Sequence, residues 1–413
     1  MSVHDWGLAS HIAWLDASPE EQRRVREVVQ LFSQSETVDE LGGRKIVITL
    51  ADALFPGTSV LHSRARYLLF VPWFCQAAVG KKNPRATLDY YERRLIARFI
   101  EDDELEGLVG RDAGPRVKQL PSTMYWTALD AWGVLRWPGT IDQTLHRAGA
   151  ARRSAPEDAD ELAGRSIAIW DAGVGTLPPG FPEENIDGGF RLKHAEACWL
   201  RDRLLLNTDG SLLAHLIRAE TPLADASRAP WLDPACQSAP PDILGVLDDA
   251  ERFALATDGA RLLYSLLVAE KYLDAGYTRV DVNLETYREM LDAWAQEVYD
   301  SSTLFEGWNR GDFWAFVRNA NVRVDELSRR FFDTWLDVAQ RGDVDGIADR
   351  SELRRLVAAR EVFLKKGQAR LENPKLLGAW TGGTAARVTF RWSQVHRLVT
   401  DILDGLERDD AVA

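Results

Sequence analysis

FPGTSVLHSRARYLLFVPWFCQ, residues 55–76, combines a Pro-Gly turn signal, two closely spaced arginines and the most apolar run of the chain. Pro56 fixes a φ suited to a turn and Gly57 tolerates positive φ, so the backbone is expected to reverse there. Thr58 or Ser59 is then placed to cap a helix that continues into the apolar run. The run is shorter than the roughly 20 residues that span a bilayer, so it predicts a buried core element.

One proline and two arginines affect what is expected of this helix. Pro72 is expected to stop or kink it, because proline lacks a backbone donor. Arg64 and Arg66 are expected to bring at least one guanidinium near the core, where it needs a carboxylate or carbonyl partner. The structural interpretation is an ion pair with an acid of the preceding segment, and the alternative is a ligand- or phosphate-binding role. The candidate acids are Asp39, Glu40 and Asp52.

The length of 413 residues exceeds a usual single core, and with 46% apolar and 27% charged residues the chain has the composition of a soluble globular protein. Two stretches rich in proline or acidic residues, at 149–190 and 221–241, suggest connectors. We therefore predict a helical N-terminal domain at 1–150, a helical middle domain at 151–275 and a helical C-terminal domain at 276–413.

Helical periodicity dominates, so the predicted fold class is mainly α with few short strands. An amphipathic helix is expected after Ser18, and a helical hairpin is expected to bend near Asp258-Gly259. Helix, turn and helix signals followed by Trp137-Pro138-Gly139 predict a winged-helix-like module over about 84–150. Its second helix, TMYWTALDAW, lacks Arg and Lys, which favours a structural or protein-binding role over DNA reading.

The last sixty residues carry the clearest charge signal. Residues 351–400 hold ten basic against three acidic residues, whereas 151–250 hold nine basic against seventeen acidic within a net charge of −13. A helix after Ser351 is predicted to bury Phe363, and the alternating RVTFRW at 387–392 predicts a strand. The basic face is either simply solvated or contacts a nucleic-acid backbone. The candidate phosphate contacts are Lys365, Lys366, Arg370, Arg387 and Arg391.

Cofactor and metal sites are not predicted. The three cysteines, Cys75, Cys198 and Cys236, are widely spaced, which fits free thiols in a reducing cytoplasm better than a disulfide framework or a zinc site. His194 and Glu196 point to different faces of a helix and do not form a ligand pair. The sequence also lacks a run of membrane-spanning length, so a cytoplasmic protein without a membrane partner is expected.

Catalytic motifs are missing as well. The chain contains no phosphate-loop, zinc-protease, nucleophile-elbow or dinucleotide-binding pattern. We expect a protein without chemistry of its own, although its 63 acidic residues leave a divergent metal-dependent nuclease open as an alternative.

Several stretches resemble a bacterial family known as domain of unknown function 6361, and the similarity extends over most of the chain. Its most specific part is LFPGTSVLHSRARYLLFVPW at 54–73. The other stretches are WLDASPEEQRR at 14–24, TVDELGG at 37–43, LPSTMYWTALDAWGVL at 120–135, LKKGQARLENP at 364–374, and RW and DILDGL at 391–392 and 401–406. The resemblance implies a gene that occurs among bacterial anti-phage or DNA-modification clusters, and it implies no cofactor or catalytic residue.

These observations lead to one expectation with two alternatives. The chain is expected to act as a non-catalytic accessory or interaction subunit of an antiviral defence or DNA-processing assembly, with other protein subunits as its partners. The alternatives are the metal-dependent nuclease and a DNA-binding protein that uses the basic segment 351–400.

Overall fold

The computed structural model describes residues 39–153, 169–182, 186–320, 324–382 and 387–408. The helix predicted after Ser18 lies outside these residues. The described part is mainly helical, as predicted, and contains fifteen α-helices and no β-strand. The helices are α1 Arg44–Leu54, α2 Tyr67–Ala78, α3 Pro84–Glu101, α4 Pro121–Ala131, α5 Ile141–Arg153, α6 His194–Asn207, α7 Leu212–Ala219, α8 Pro234–Gln237, α9 Pro241–Asp274, α10 Leu284–Asp300, α11 Arg310–Asn319, α12 Glu326–Gln340, α13 Ser351–Lys365, α14 Pro374–Gly378 and α15 Trp392–Leu406.

The longest helix, α9, organises the C-terminal half. Its 34 residues are mostly buried, and α1, α10, α12 and α13 pack around it. The bend predicted at Asp258-Gly259 is wrong, because α9 runs through both residues without interruption. Gly259 instead makes room for a ring: a Cβ there would lie 2.4 Å from Cζ2 of Trp294. The glycine is thus a packing position.

Helix α2 is the centre of the N-terminal half. Ten of its twelve residues are buried, and α3 and α4 pack on it, which confirms a core element. Pro72 does not stop the helix, which continues to Ala78. An interior proline costs ~3 kcal/mol in a free helix, and burial of the surrounding aromatic side chains offsets that cost.

The last helix, α15, returns the chain to its N-terminal half. It packs on α6 and α7, and its apolar residues Val395, Leu398, Val399, Ile402 and Leu403 are buried, whereas Leu406 is partly buried. One hydrophobic cluster extends from Leu41 to Leu403. Contacts therefore cross both predicted domain boundaries, and the division into three domains stays a prediction.

The described residues lend no support to the winged-helix module. After α4, Arg136 N donates to Ile169 O at 2.9 Å and Asp171 N donates to Val134 O at 2.8 Å. This isolated bridge joins Leu135 to Trp170, where a wing would need a local hairpin through Trp137. The predicted recognition helix is itself packed on α2 through buried Tyr125 and Leu129.

Two predictions for the C-terminal segment are wrong. Within RVTFRW, residues 387–389 are irregular, and Phe390 and Arg391 have φ values of 52° and 67°, which a strand cannot adopt. Phe363, predicted to face inward, is 52% exposed near the end of α13.

The first predicted connector contributes to the core instead of only linking domains. Trp170, Phe181 and Phe190 are buried, and the Phe190 ring lies 4.6 Å from that of Phe99. Among the described helices, none combines the length and the apolar character needed to cross a membrane.

Candidate functional site: the motif loop and the basic segment

The motif loop, residues 55–66, begins with the predicted reversal. Thr58 N donates to Phe55 O at 3.2 Å, and Gly57 has a φ of 77°. The Trp132 indole donates to Pro56 O at 2.9 Å, and a Cβ on Gly57 would lie 2.6 Å from the same indole nitrogen. The Pro-Gly turn is therefore confirmed, and a tryptophan from the end of α4 covers it.

The remainder of the motif loop is not the predicted helix, which begins only at Tyr67. The Tyr125 hydroxyl accepts hydrogen bonds from Ser63 N at 2.7 Å and Arg64 N at 3.0 Å, and donates to Arg64 O at 3.0 Å. Thr58 donates its hydroxyl to Phe55 O rather than capping a helix. One phenol thus satisfies three backbone groups that a helix would otherwise use.

His62 stacks on the Tyr125 ring, with the ring centroids 4.4 Å apart. Its Nε2 lies 3.2 Å from Met124 O, so this nitrogen carries the hydrogen. Burial lowers the pKa of His62 to about 4, which makes the imidazole neutral at physiological pH.

Arg64 binds a carboxylate of α15. Its Nε lies 3.1 and 3.0 Å from the two oxygens of Asp401, and Asp401 Oδ2 also accepts Ala65 N at 2.8 Å. Burial raises the pKa of Asp401, and the Arg64 guanidinium opposes that rise. The guanidinium also donates to Glu106 O at 3.2 Å. This arrangement fixes the end of the motif loop to the last helix.

Arg66 is the more deeply buried cation, with 1% of its surface exposed. Its Nη1 donates to Asp187 O and Gly189 O, both at 2.7 Å, and its Nη2 binds Glu196 at 3.0 Å. Nε has no hydrogen-bond partner among the described residues. The guanidinium therefore ties α2 to the segment before α6.

The predicted carboxylate partners lie elsewhere, so that pairing is corrected. Asp39 accepts Gly43 N at 2.7 Å and Arg44 N at 3.1 Å, which satisfies two backbone amides at the start of α1. Glu40 binds Arg370 at 3.1 Å, and Asp52 binds Arg391 at 2.7 Å. The interpretation as internal ion pairs agrees with the geometry, but with Asp401 and Glu196 as partners.

The basic segment is largely paired within the chain. Lys365 lies 3.7 Å from Glu40, and Arg387 binds Asp258 at 3.2 Å and Glu297 at 2.7 Å. Arg391 also donates to Thr58 O of the motif loop at 2.7 Å. Of the five proposed phosphate contacts, Lys365, Arg370, Arg387 and Arg391 thus face carboxylates of the protein. Lys366 is exposed.

A small cleft opens beside Arg66, with a volume of about 210 Å³. It is lined by Phe99, Asp102, Glu104, Ile186, Gly188, Gly189 and Arg191. Its lining mixes acidic and basic groups, so it has no single charge preference. Within the described ranges, no three His, Cys, Asp or Glu side chains come together as metal ligands would.

Sequence reasoning missed the residues that complete the site. The sequence around Tyr125 indicates only a helix, and the DILDGL stretch that contains Asp401 shows no charged motif. The Arg64–Asp401 pair spans 337 positions, and no local spacing rule reports a contact at that distance.

Comparison with known proteins gives one match. The model described as "Family of unknown function (DUF6361)" matches residues 9–405. Neither the search of curated proteins nor the search of solved structures found a match.

Proposed function

The chain belongs to this family of unknown function, and from that premise we propose that it is a non-catalytic accessory subunit that binds another protein. The assembly would be a bacterial anti-phage defence or DNA-processing complex. The observation that carries the proposal is the internal pairing of the charged residues singled out in the sequence.

Phosphate binding by these residues would require the loss of existing ion pairs. Arg387 faces two carboxylates, Asp258 and Glu297, and Arg391 bridges Asp52 and the Thr58 carbonyl. A phosphate would have to displace these groups, and the displaced acids would then repel it. This arrangement favours a structural use of the cations over contact with nucleic acid.

Two exposed apolar side chains offer a surface for a protein partner. Leu327 on α12 and Phe363 on α13 are each 52% exposed. Their helices are joined by Arg360, which donates to Ser328 Oγ at 2.6 Å and to Leu41 O at 2.9 Å. Lys365 is bound internally, and Leu327 and Phe363 are the large apolar side chains that these two helices expose, which supports contact with a protein subunit over contact with a polyanion.

Affinity purification from the native bacterium tests the proposal. We expect tagged wild-type protein to recover a specific partner, and we expect Leu327→Ser with Phe363→Ser to lower recovery at least about tenfold, the equivalent of ~1.4 kcal/mol. The matched control is Leu206→Ser with Leu232→Ser, which removes two side chains that are 68% and 61% exposed on other elements. Failure to enrich any protein over an untagged strain would contradict the accessory role. Equal recovery by both double variants would contradict the assigned surface.

Assays with DNA test the alternatives. Direct DNA binding predicts an affinity that falls steeply as salt is raised, because each phosphate contact releases counterions. We expect no such binding by wild-type protein near physiological salt. A steep slope that becomes shallower in Lys366→Gln would favour the DNA-binding function instead.

A nuclease assay tests the second alternative, the metal-dependent nuclease. Labelled DNA incubated with purified protein and Mg²⁺ or Mn²⁺ should remain intact. Cleavage that disappears on chelation would replace the accessory role with the nuclease.

A further inference from the structure

A thiol and an imidazole meet where the start of α6 packs against the end of α15. His194 is the first residue of α6 and Cys198 follows one turn later, so the two side chains share a face of the helix. Cys198 Sγ lies 3.3 Å from His194 Nε2. Both residues are half-buried, so each keeps part of its surface open to solvent.

A backbone carbonyl fixes the direction of the hydrogen bond. His194 Nδ1 lies 3.0 Å from Leu406 O. A carbonyl oxygen only accepts, so Nδ1 carries the hydrogen, and in the neutral ring Nε2 is then an acceptor. The Cys198 S–H is consequently the donor to Nε2. The Cys198 thiol, the His194 imidazole and the Leu406 carbonyl thus stand in the order of a nucleophile, a base and a group that orients the base.

The end of a helix and an arginine lie beside the pair. Leu406 is the last residue of α15, and the carbonyls of a final helical turn attract a cation such as imidazolium. Arg201 lies one turn beyond Cys198. Its guanidinium is paired with Asp202 at 3.1 Å and with Glu220 at 3.2 Å.

The other two cysteines provide an internal contrast. Cys75 and Cys236 are buried, with 1% and 0% of their surface exposed. Burial raises the pKa of both thiols, which keeps them protonated and unreactive. Reactivity is therefore expected at one of the three positions.

We propose that Cys198 is a nucleophilic thiol that His194 activates as a base, and that it reacts with small soft carbon electrophiles. Sγ attacks the electrophilic carbon while Nε2 takes the thiol proton. With iodoacetamide, the S–C bond forms as the C–I bond breaks, and iodide leaves with the electron pair. With an α,β-unsaturated carbonyl, the proton passes instead to the α-carbon.

Alkylation with iodoacetamide at pH 7 tests the proposal on the full chain, with the rate at each cysteine read by peptide mass spectrometry. The variant His194→Asn keeps an amide N–H for the Leu406 carbonyl and removes the base. We expect this variant to slow the alkylation of Cys198 at least about tenfold. General bases in enclosed active sites contribute ~10²–10⁴-fold to the rate, and this half-buried pair is expected to contribute less. Cys75 and Cys236 should stay unmodified in both proteins, which reports an intact fold.

Two results would overturn the proposal. One is an equal rate at Cys198 in wild type and His194→Asn, since exposure alone would then account for the reaction. The other is alkylation of Cys75 or Cys236 in the wild type as fast as that of Cys198. If Cys75 reacts only in His194→Asn, the fold of that variant has opened. The alkylation rate of Cys198 in His194→Gln is then compared with that in the wild type, and the same two outcomes apply.

Discussion

Arg64 and Arg66 lie two positions apart, yet different parts of the chain neutralise them. Arg64 binds Asp401 of the last helix, and Arg66 binds Glu196 together with two backbone carbonyls. Removal of the carboxylate from such a pair leaves an uncompensated charge largely out of water. Substitutions in these two ion pairs therefore test how much single residues contribute to the stability of the fold.

Asp401→Asn is expected to be strongly destabilising. The change keeps an acceptor for Ala65 N but leaves the Arg64 cation without its counter-charge, and loss of one buried partner costs about 3–5 kcal/mol. Urea unfolding measures the difference. The control is Glu106→Gln, which breaks an exposed ion pair with Arg397 of α15, the helix that also carries Asp401. Exposed pairs are worth less than about 1 kcal/mol.

Equal losses of stability in the two variants would contradict a buried structural role for Asp401. Arg64→Met combined with Asp401→Asn should cost less than the two single changes added together.

Glu92 is expected to make stability depend on pH. This fully buried carboxyl accepts the Ser122 backbone N–H and hydroxyl, and burial raises its pKa from an ordinary 4.5 to about 7. A folded-state pKa above the unfolded one means that the folded state binds the proton more tightly. The stabilisation is thus complete below about pH 4.5 and is lost as the pH rises through about 7.

The measurement is the free energy of unfolding of wild type and Glu92→Gln between these two pH values. The wild-type value should fall relative to that of the variant as the pH rises. The neutral His62 contributes equally to both proteins and cancels in the difference. A difference that is constant with pH would show that Glu92 titrates alike in both states.

At the scale of elements, local signals predicted helix positions well and breaks poorly. Proline at the first helical position marks α3 and α4, and apolar residues at helical spacing form the buried face of α15. The prediction of a bend at Gly259 was wrong because a glycine in a helix can mark either a hinge or a position of close packing. Only the position of the Trp294 ring distinguishes the two. The strand at 387–392 was wrong because alternation does not report positive φ.

Gly259→Ala is expected to destabilise the protein although alanine is the better helix former. A Cβ at 2.4 Å from the Trp294 ring, which is itself held by a hydrogen bond to Leu255 O, has no room. Overpacking costs about 1–3 kcal/mol, more than the ~1 kcal/mol gained from helix propensity.

Gly245 on the same helix is the matched control, because nothing lies within 4 Å of its Cβ position. Gly245→Ala should raise the melting temperature where Gly259→Ala lowers it. Shifts of the same sign would show that propensity, and not the fit of Trp294, determines the outcome.

At the scale of the whole molecule, the ion pairs cross the domain boundaries expected from the sequence. Arg391 binds Asp52, Arg370 binds Glu40, and α15 covers α6 and α7. The sequence indicated that buried arginines need partners, but it could not identify them, since the partners come from segments more than a hundred positions away. The mainly helical class and the core position of α2 were accessible from composition and periodicity. The partners that complete the site could not be predicted from composition and periodicity.

The isolated fragment 276–413 tests the predicted C-terminal domain. We expect α15 to lose its protection from hydrogen exchange in this fragment, because the helices on which it packs, α6 and α7, are absent. Exchange measured by mass spectrometry over Val395–Leu403 compares the fragment with the full chain. Equal protection in both would favour three independent domains.

The pairing of Arg64 with Asp401 also has a consequence for protein synthesis. The ribosome makes Arg64 337 residues before its carboxylate partner, an interval of roughly 15–70 s at bacterial elongation rates of about 5–20 residues per second. Until then, the nascent chain holds a guanidinium that is destined for the interior but has nothing to neutralise it. The motif loop thus completes its contact with α15 only when translation has passed residue 401.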